Sequence, residues 1–225
     1  MKILSWNCCG KFREKFKHIV NIDADIFVIQ ECENPALTKC DEYKGFAKNH
    51  IWIGNNKNKG LGIFYKNGIS LKKKNWDSYC LRYFLPVRMN NCFDLLCVWA
   101  CERHIEEYYV YQSIHKKKFT KDMVIIGDFN SNSIWDNKHH DRDHSNVVKE
   151  LEMLGLSSAY HFVSGCHQGK EKDMTFYLYR HTDKGYHIDY AFANKEKIED
   201  FNILDSTEWL KVSDHNPILL TLKEI

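Results

Sequence analysis

Five short clusters of acidic, amide and histidine side chains mark this 225-residue chain, because each abuts an apolar run. The first run closes on Asn7, the second on Gln30-Glu31, and the third on Gly127-Asp128-Phe129-Asn130. A fourth carries His187-Ile188-Asp189-Tyr190, and Ser213-Asp214-His215-Asn216-Pro217 directly precedes the last apolar stretch. Carboxylates this close to buried strands are costly unless they are paired or bound to a metal. Each cluster alone has an ordinary reading. An Asp or Asn at a strand end is commonly turn chemistry, and Gly127-Asp128 is itself a turn signal. Gathered at one rim, the five would instead make a site for a hard cation and an anionic substrate.

Gathering them needs strands that end on the same side. Lys2 to Trp6, Asp25 to Gln30, Leu61 to Tyr65, Tyr79 to Val87 and Cys92 to Ala100 read as strands. So do Met123 to Ile126, Met174 to Tyr179, His187 to Ala193 and Ile218 to Leu222. Phe12, Phe16, Ile19 and Val20 fall on one face of a helix, and the segment from Ile105 to Phe119 predicts another. Val147, Val148, Leu151 and Leu154 form a third helical stripe, which Gly155 would stop. Strands dominate and helices are interspersed, without repeats or a break in composition. The pattern predicts one α/β domain over residues 1–225, built as two packed sheets with helices outside.

Composition narrows the function. With 32 basic and 30 acidic residues the net charge is +2, which excludes a polybasic coat or an acidic tail as the working device. Any nucleic-acid binding must come from a local patch or a metal. Three prolines and 11 glycines argue against a long flexible linker. The nine cysteines contain no CxxC pair and no zinc-ribbon spacing. The start, MKILSWNCCG, has no apolar signal core, and no apolar run approaches the roughly 18 residues of a membrane span. These features predict a cytoplasmic protein with free thiols and no membrane attachment.

The ordered series SWN, IQE, GDFN, HIDY and SDHNP, from Asn7 to Pro217, resembles the endonuclease/exonuclease/phosphatase superfamily. The resemblance implies a four-layer α-β-β-α sandwich of two packed mixed sheets flanked by helices, with the site at one rim. It also implies Mg²⁺-dependent hydrolysis of phosphate esters, with Mn²⁺ as a substitute. Such chemistry requires a cation against the phosphoryl oxygens, a base for water and a group that holds transition-state charge. Glu31 is expected as the principal metal ligand, with Asn7 and Asp214 at the metal site. Asp128 is expected to orient or deprotonate the attacking water, and Asn130 to hydrogen-bond the phosphate or that water. His215 corresponds to the family histidine at the scissile phosphate, with Asp189 fixing its ring.

The stretch from Thr175 to Arg180, followed by Tyr186 and His187, is similar to the abasic-site endonucleases of that superfamily. Thr175, Tyr186 and His187 are therefore expected at the substrate, although aromatic residues alternating in strands are also ordinary packing. Two departures stand out. Cys9 replaces an aspartate found two residues after the first asparagine in many relatives, and cysteine is a poor Mg²⁺ ligand. The His or Tyr that follows the strand ending at Ala100-Cys101 could be His104, Tyr109 or Tyr111; His104 is the nearest candidate for a phosphate contact. Ser131 to Ser145, dense in His, Lys and Arg, is expected to be a polar loop beside the cleft. The expected partner is a phosphodiester, DNA or RNA, acted on by a monomer without an obligate protein partner. Two alternatives stay open: a hydrolase of a small phosphorylated metabolite or nucleotide, and a silent phosphate-binding module.

Overall fold

Many apolar runs of this chain are unbroken rather than alternating, and in the computed structural model the reason is that both faces of their strands are covered. The structure describes residues 1–204 and 207–223. In chain order the strands open with β1 (Lys2–Asn7), β2 (Ile26–Cys32), β3 (His50–Asn56), β4 (Lys59–Tyr65) and β5 (Leu71–Lys73). Next come β6 (Phe84–Met89), β7 (Phe93–Trp99), β8 (Val124–Asp128), β9 (Ser157–Ser158) and β10 (Phe176–Tyr177). The series closes with β11 (Gly185–Tyr186), β12 (Asp189–Ala193), β13 (Ile198–Ile203) and β14 (Ile218–Leu222). One six-stranded sheet has the order β13-β14-β1-β2-β4-β3, and the other β5-β6-β7-β8-β12-β9. Both are mixed, since β1 pairs with β2 and β7 with β8 in parallel while the remaining pairs are antiparallel.

The sheets pack face to face through Ile3, Ile26, Val28, Leu95, Cys97 and Ile126. The next residues along the same strands point outward to helices. Leu4, Phe27 and Ile29 meet Phe12 of α1 (Phe12–Lys15) and Tyr43 of α2 (Asp41–Phe46). Leu96, Val98 and Ile125 meet Tyr108 and Tyr111 of α3 (Ile105–Ile114) and Val147 of α4 (His144–Met153). The result is the α-β-β-α sandwich expected from the resemblance.

Several boundaries differ from the sequence expectation. The strand predicted from Tyr79 begins only at Phe84, because Tyr79 and Tyr83 both adopt left-handed backbone angles, φ 52° and 61°. The strand predicted over Met174 to Tyr179 keeps only β10, and Tyr179 turns left-handed at φ 54°. The first helix is a short α-turn followed by a 3₁₀ turn over Phe16–His18, which leaves Val20 exposed. The helix predicted to Phe119 stops at Ile114. The Ser131 to Ser145 segment is partly helical, with a 3₁₀ helix over Ser133–Lys138 and α4 beginning at His144. All nine cysteines are free thiols, and no described helix is long and apolar enough to cross a membrane.

Candidate active site

The parallel pairing of β1 with β2 sets Asn7 beside Gln30 where the two strands end. There β2 bulges: the register shifts between Gln30 and Cys32, and Glu31 takes φ 63°. The additional residue re-aims the Glu31 carboxylate out of the ladder. It joins Asn7, Asp214 and His215 in the lining of a cleft of about 440 Å³. In the second sheet Asp128 ends β8, opposite Asp189 on one neighbour and Trp99 on the other. Gly127 is required there, because a Cβ at that position would lie 1.9 Å from the Val98 carbonyl oxygen. Close approach of β7 therefore depends on the glycine that precedes the carboxylate.

Asn7 bridges the two sheets at this rim. Its Nδ2 donates to Asp128 Oδ2 at 3.0 Å and, at a longer 3.5 Å, to Glu31 Oε1. Its own amide oxygen accepts from the Cys9 N–H at 3.0 Å. Asn130, left-handed at φ 47°, folds back so that its backbone N–H and its Nδ2 each donate to Asp128 at 2.9 Å. Glu31 and Asn130 thus both reach the cleft on left-handed backbone, a conformation that Asn tolerates more readily than Glu. His215 Nδ1 meets Asp189 Oδ2 at 2.9 Å. The backbone of His215 is held by Trp6 Nε1, which donates to its carbonyl at 3.0 Å, and by Ser213 Oγ, which accepts from its N–H at 3.1 Å. Ser213 Oγ in turn donates to the Asn7 carbonyl at 2.7 Å, locking the last cluster to the first.

Donor atoms of Asp128, Asp189 and His215 lie within 4.8 Å of one another. Burial, followed by the charge of Asp189, raises the Asp128 pKa to about 7, against the pull of His215, Asn7 and Asn130. Burial opposes charge on His215. The Asp189 carboxylate outweighs it by charge and hydrogen bond, with Asp128 and Asp214 adding, and lifts the ring to about 10. His215 is thus an imidazolium at neutral pH and already compensates this trio. A resident hard cation fits better at the cleft lip, where the carboxylates of Glu31 and Asp214 line one hollow and the Asn7 amide, its NH2 turned to Glu31 and its oxygen to the Cys9 N–H, braces Glu31. That lip already attracts positive charge: Lys59 Nζ sits 2.8 Å from Glu31 Oε2 and 5.4 Å from the centre of the Trp99 ring.

Asn7, Glu31, Asp128, Asn130, Asp189, Asp214 and His215 are brought together. The four residues expected at the substrate are not among the cleft lining. Thr175 is fully buried, and its Oγ1 accepts the N–H groups of Ile188 and Asp189 at 3.0 Å, a support beneath the pair. His187 is buried too, with Nδ1 directed at the Asp173 carbonyl. Tyr186 packs 5.0 Å from Trp135, and His104 is an exposed residue preceding α3. Lys59, Tyr83, Trp99, Cys101 and Phe176 do line the cleft and were not legible as site residues. The only local hint at Lys59 is its place in the turn-like run Asn55 to Gly60.

Fold and site together define a phosphoesterase class. Residues 4–215 match the Endonuclease/Exonuclease/phosphatase family model, and the chain belongs to that family, whose members are metal-dependent hydrolases. Among solved structures it is similar to a 3′ phosphatase from Neisseria bound to a product DNA hairpin, with 16% identity over the whole of both chains and a TM-score of 0.72. It is also similar to an AP endonuclease from Archaeoglobus fulgidus, with 17% identity over the whole of both chains and a TM-score of 0.71. The catalytic domain of human Nocturnin, with a bound sulfate anion, is 15% identical over 99% of this chain and 93% of that one, at a TM-score of 0.59. No curated protein matches by sequence.

Proposed function

We propose that this chain is a Mg²⁺-dependent nuclease that hydrolyses phosphodiester bonds in DNA or RNA, working as a cytoplasmic monomer with residues 1–225 as one domain. The observation that carries the reading is the meeting, at one rim, of the buried Asp128 carboxylate, held by Asn7 and Asn130, with the buried His215–Asp189 pair. Asp128 is the base. Its pKa near 7 matches the demand that a general base accept a proton at working pH. Asn130 and Asn7 hold its two oxygens, so the carboxylate does not reorganise during the reaction. His215 is the electrostatic contact to the phosphate, with Asp189 keeping its ring oriented and protonated. Mg²⁺, held by Glu31 with Asp214 and Asn7, would supply positive charge against the phosphoryl oxygens. Thr175 supports Asp189 through its Oγ1, and Tyr186, His187 and His104 lie outside the lining of the cleft.

The nucleic-acid substrate is supported by the DNA product bound to the Neisseria relative and by the aromatic walls of the cleft, Tyr83, Trp99 and Phe176. Purified protein should be offered abasic duplex DNA, single-stranded DNA, RNA, a dinucleotide and an inositol phosphate. Cleavage of a polynucleotide is expected with Mg²⁺ or Mn²⁺ and not with EDTA. Turnover of the small phosphates alone would overturn the nuclease reading. No turnover of any of them would leave the silent module.

A further inference from the structure

We infer that a second, non-catalytic trough beside the cleft is a binding site for single-stranded polynucleotide, which continues past Tyr83 out of the active site. The catalytic end of this path rests on the nuclease reading above; the trough stands on its own geometry. It lies where the edge strand of each sheet, β3 and β5, comes to the same side, and it encloses about 610 Å³. Tyr83 lines both hollows, so cleft and trough adjoin at this residue.

The lining has the composition that single strands require. Lys73, Lys74 and Arg82 contribute cations, Trp52, Tyr79 and Tyr83 contribute rings, and no carboxylate lines it. Stacking on aromatic faces with a cationic track for the backbone is sequence-tolerant recognition of unpaired bases. Lys74 is partnered by Asp94 and Arg82 by Glu102, both outside the lining, whereas Lys73 is exposed. The rings therefore carry more of the binding than bulk charge, in keeping with the net charge of +2.

Backbone geometry adds an independent observation. Tyr79 is 70% exposed, and both Tyr79 and Tyr83 hold left-handed backbone, an unfavourable conformation for bulky residues. Such strain is characteristic of sites where a side chain must be presented in one direction. Tyr83 packs on Trp99 at 4.5 Å between ring centres, at the mouth of the catalytic cleft. With its side-chain amide turned so that the oxygen faces the guanidinium, Asn55 on β3 accepts from Arg82 Nη1 at 2.9 Å and from Nε at 3.1 Å, which ties the two sides of the trough together.

The test is fluorescence anisotropy in EDTA with labelled dT4, dT12, rU12 and a 12-base-pair duplex. The full-length chain is compared with Tyr79→Ala and Lys73→Ala, with circular dichroism of each. The 12-mer is expected to bind tighter than the 4-mer. Tyr79→Ala should weaken the 12-mer about tenfold, as loss of one stacking partner does. Lys73→Ala should reduce the slope of log affinity against log salt by about 0.7. Comparison of dT12 with rU12 separates DNA from RNA as the source of the strand. Equal binding of 4-mer and 12-mer, preference for duplex, or unchanged affinity in both variants would overturn the trough. Hydrolysis of bis(4-nitrophenyl) phosphate, measured in parallel with Mn²⁺, separates the two readings. Turnover with Tyr79-independent binding removes the trough alone, and Tyr79-dependent binding without any turnover removes the nuclease alone.

Discussion

At the scale of single residues, the two decisive groups are Asp128 and His215. Their environments push an acid up and a base up together: burial and Asp189 raise Asp128, and Asp189 sustains the charge on His215 against burial. Asp128→Asn removes the proton acceptor and leaves its size. Removing the ring in His215→Ala takes away the imidazolium. Each is expected to lower turnover of the preferred phosphodiester by about 10²–10⁴-fold while circular dichroism stays unchanged. Turnover like the unmodified protein's in either variant would remove that residue from the mechanism. These two, with Glu31 and Asn130, were legible because their motifs are local: each sits within a few residues of an apolar strand. Lys59, Tyr83 and Trp99 were not, because a lysine in a hairpin and aromatics in strands are ordinary there. Only the pairing of Lys59 with Glu31 across two strands gives it meaning.

At the scale of elements, the site depends on how two strands end. The bulge in β2 turns Glu31 toward the cleft, and the glycine in β8 lets β7 approach Asp128. Gly127→Ala would place a methyl group against the backbone of Val98, which has no side-chain freedom to yield. It is expected to cost about 1–3 kcal/mol or more, read as a lowered urea midpoint, with turnover lost as Asp128 shifts. A variant as stable and active as the original would show that β7 and β8 can part without disturbing the carboxylate. Strands buried on both faces were legible as apolar runs, while β3 and β13 were missed. In β13 charged and amide residues interrupt the apolar ones, and β3 ends in the exposed polar run Gly54-Asn55-Asn56. The break at Tyr79 and Tyr83 was also missed, since nothing in a tyrosine announces left-handed backbone.

At the scale of the whole molecule, buried histidines set the acid limit. His144 and His187 pack around the Tyr190 ring, and burial lowers each to about 4. In the unfolded chain they titrate near 6.5. Between these values the unfolded state holds protons that the folded state refuses, so stability falls as pH drops from about 6.5 to about 4. Asp128 gains its proton in the same range and offsets part of the loss, because its folded pKa is raised. The comparison with His144→Gln is free of that offset. This variant should show a slope of unfolding free energy against pH that is shallower by about 1.4 kcal/mol per pH unit over the window. Equal slopes by urea unfolding at pH 4.5 and 6 would mean that His144 is accommodated charged.

By itself the sequence determined a strand-rich α/β domain with polar clusters at its strand ends, and the order of those clusters carried the resemblance that implied phosphoester chemistry and four layers. Apolar runs of strand length need two covered faces, and the polar groups that end them need partners or a metal. Those are local demands, written in neighbouring residues. The tertiary structure alone decided which polar groups face the cleft. It buried Thr175 against the backbone of Asp189 and His187 against Tyr160 and Tyr190, and set Lys59 against Glu31. It also brought the edges of both sheets together beside Tyr83. Exposure and contact between distant strands follow from strand order, twist and bulges, which depend on the whole chain rather than on any one segment.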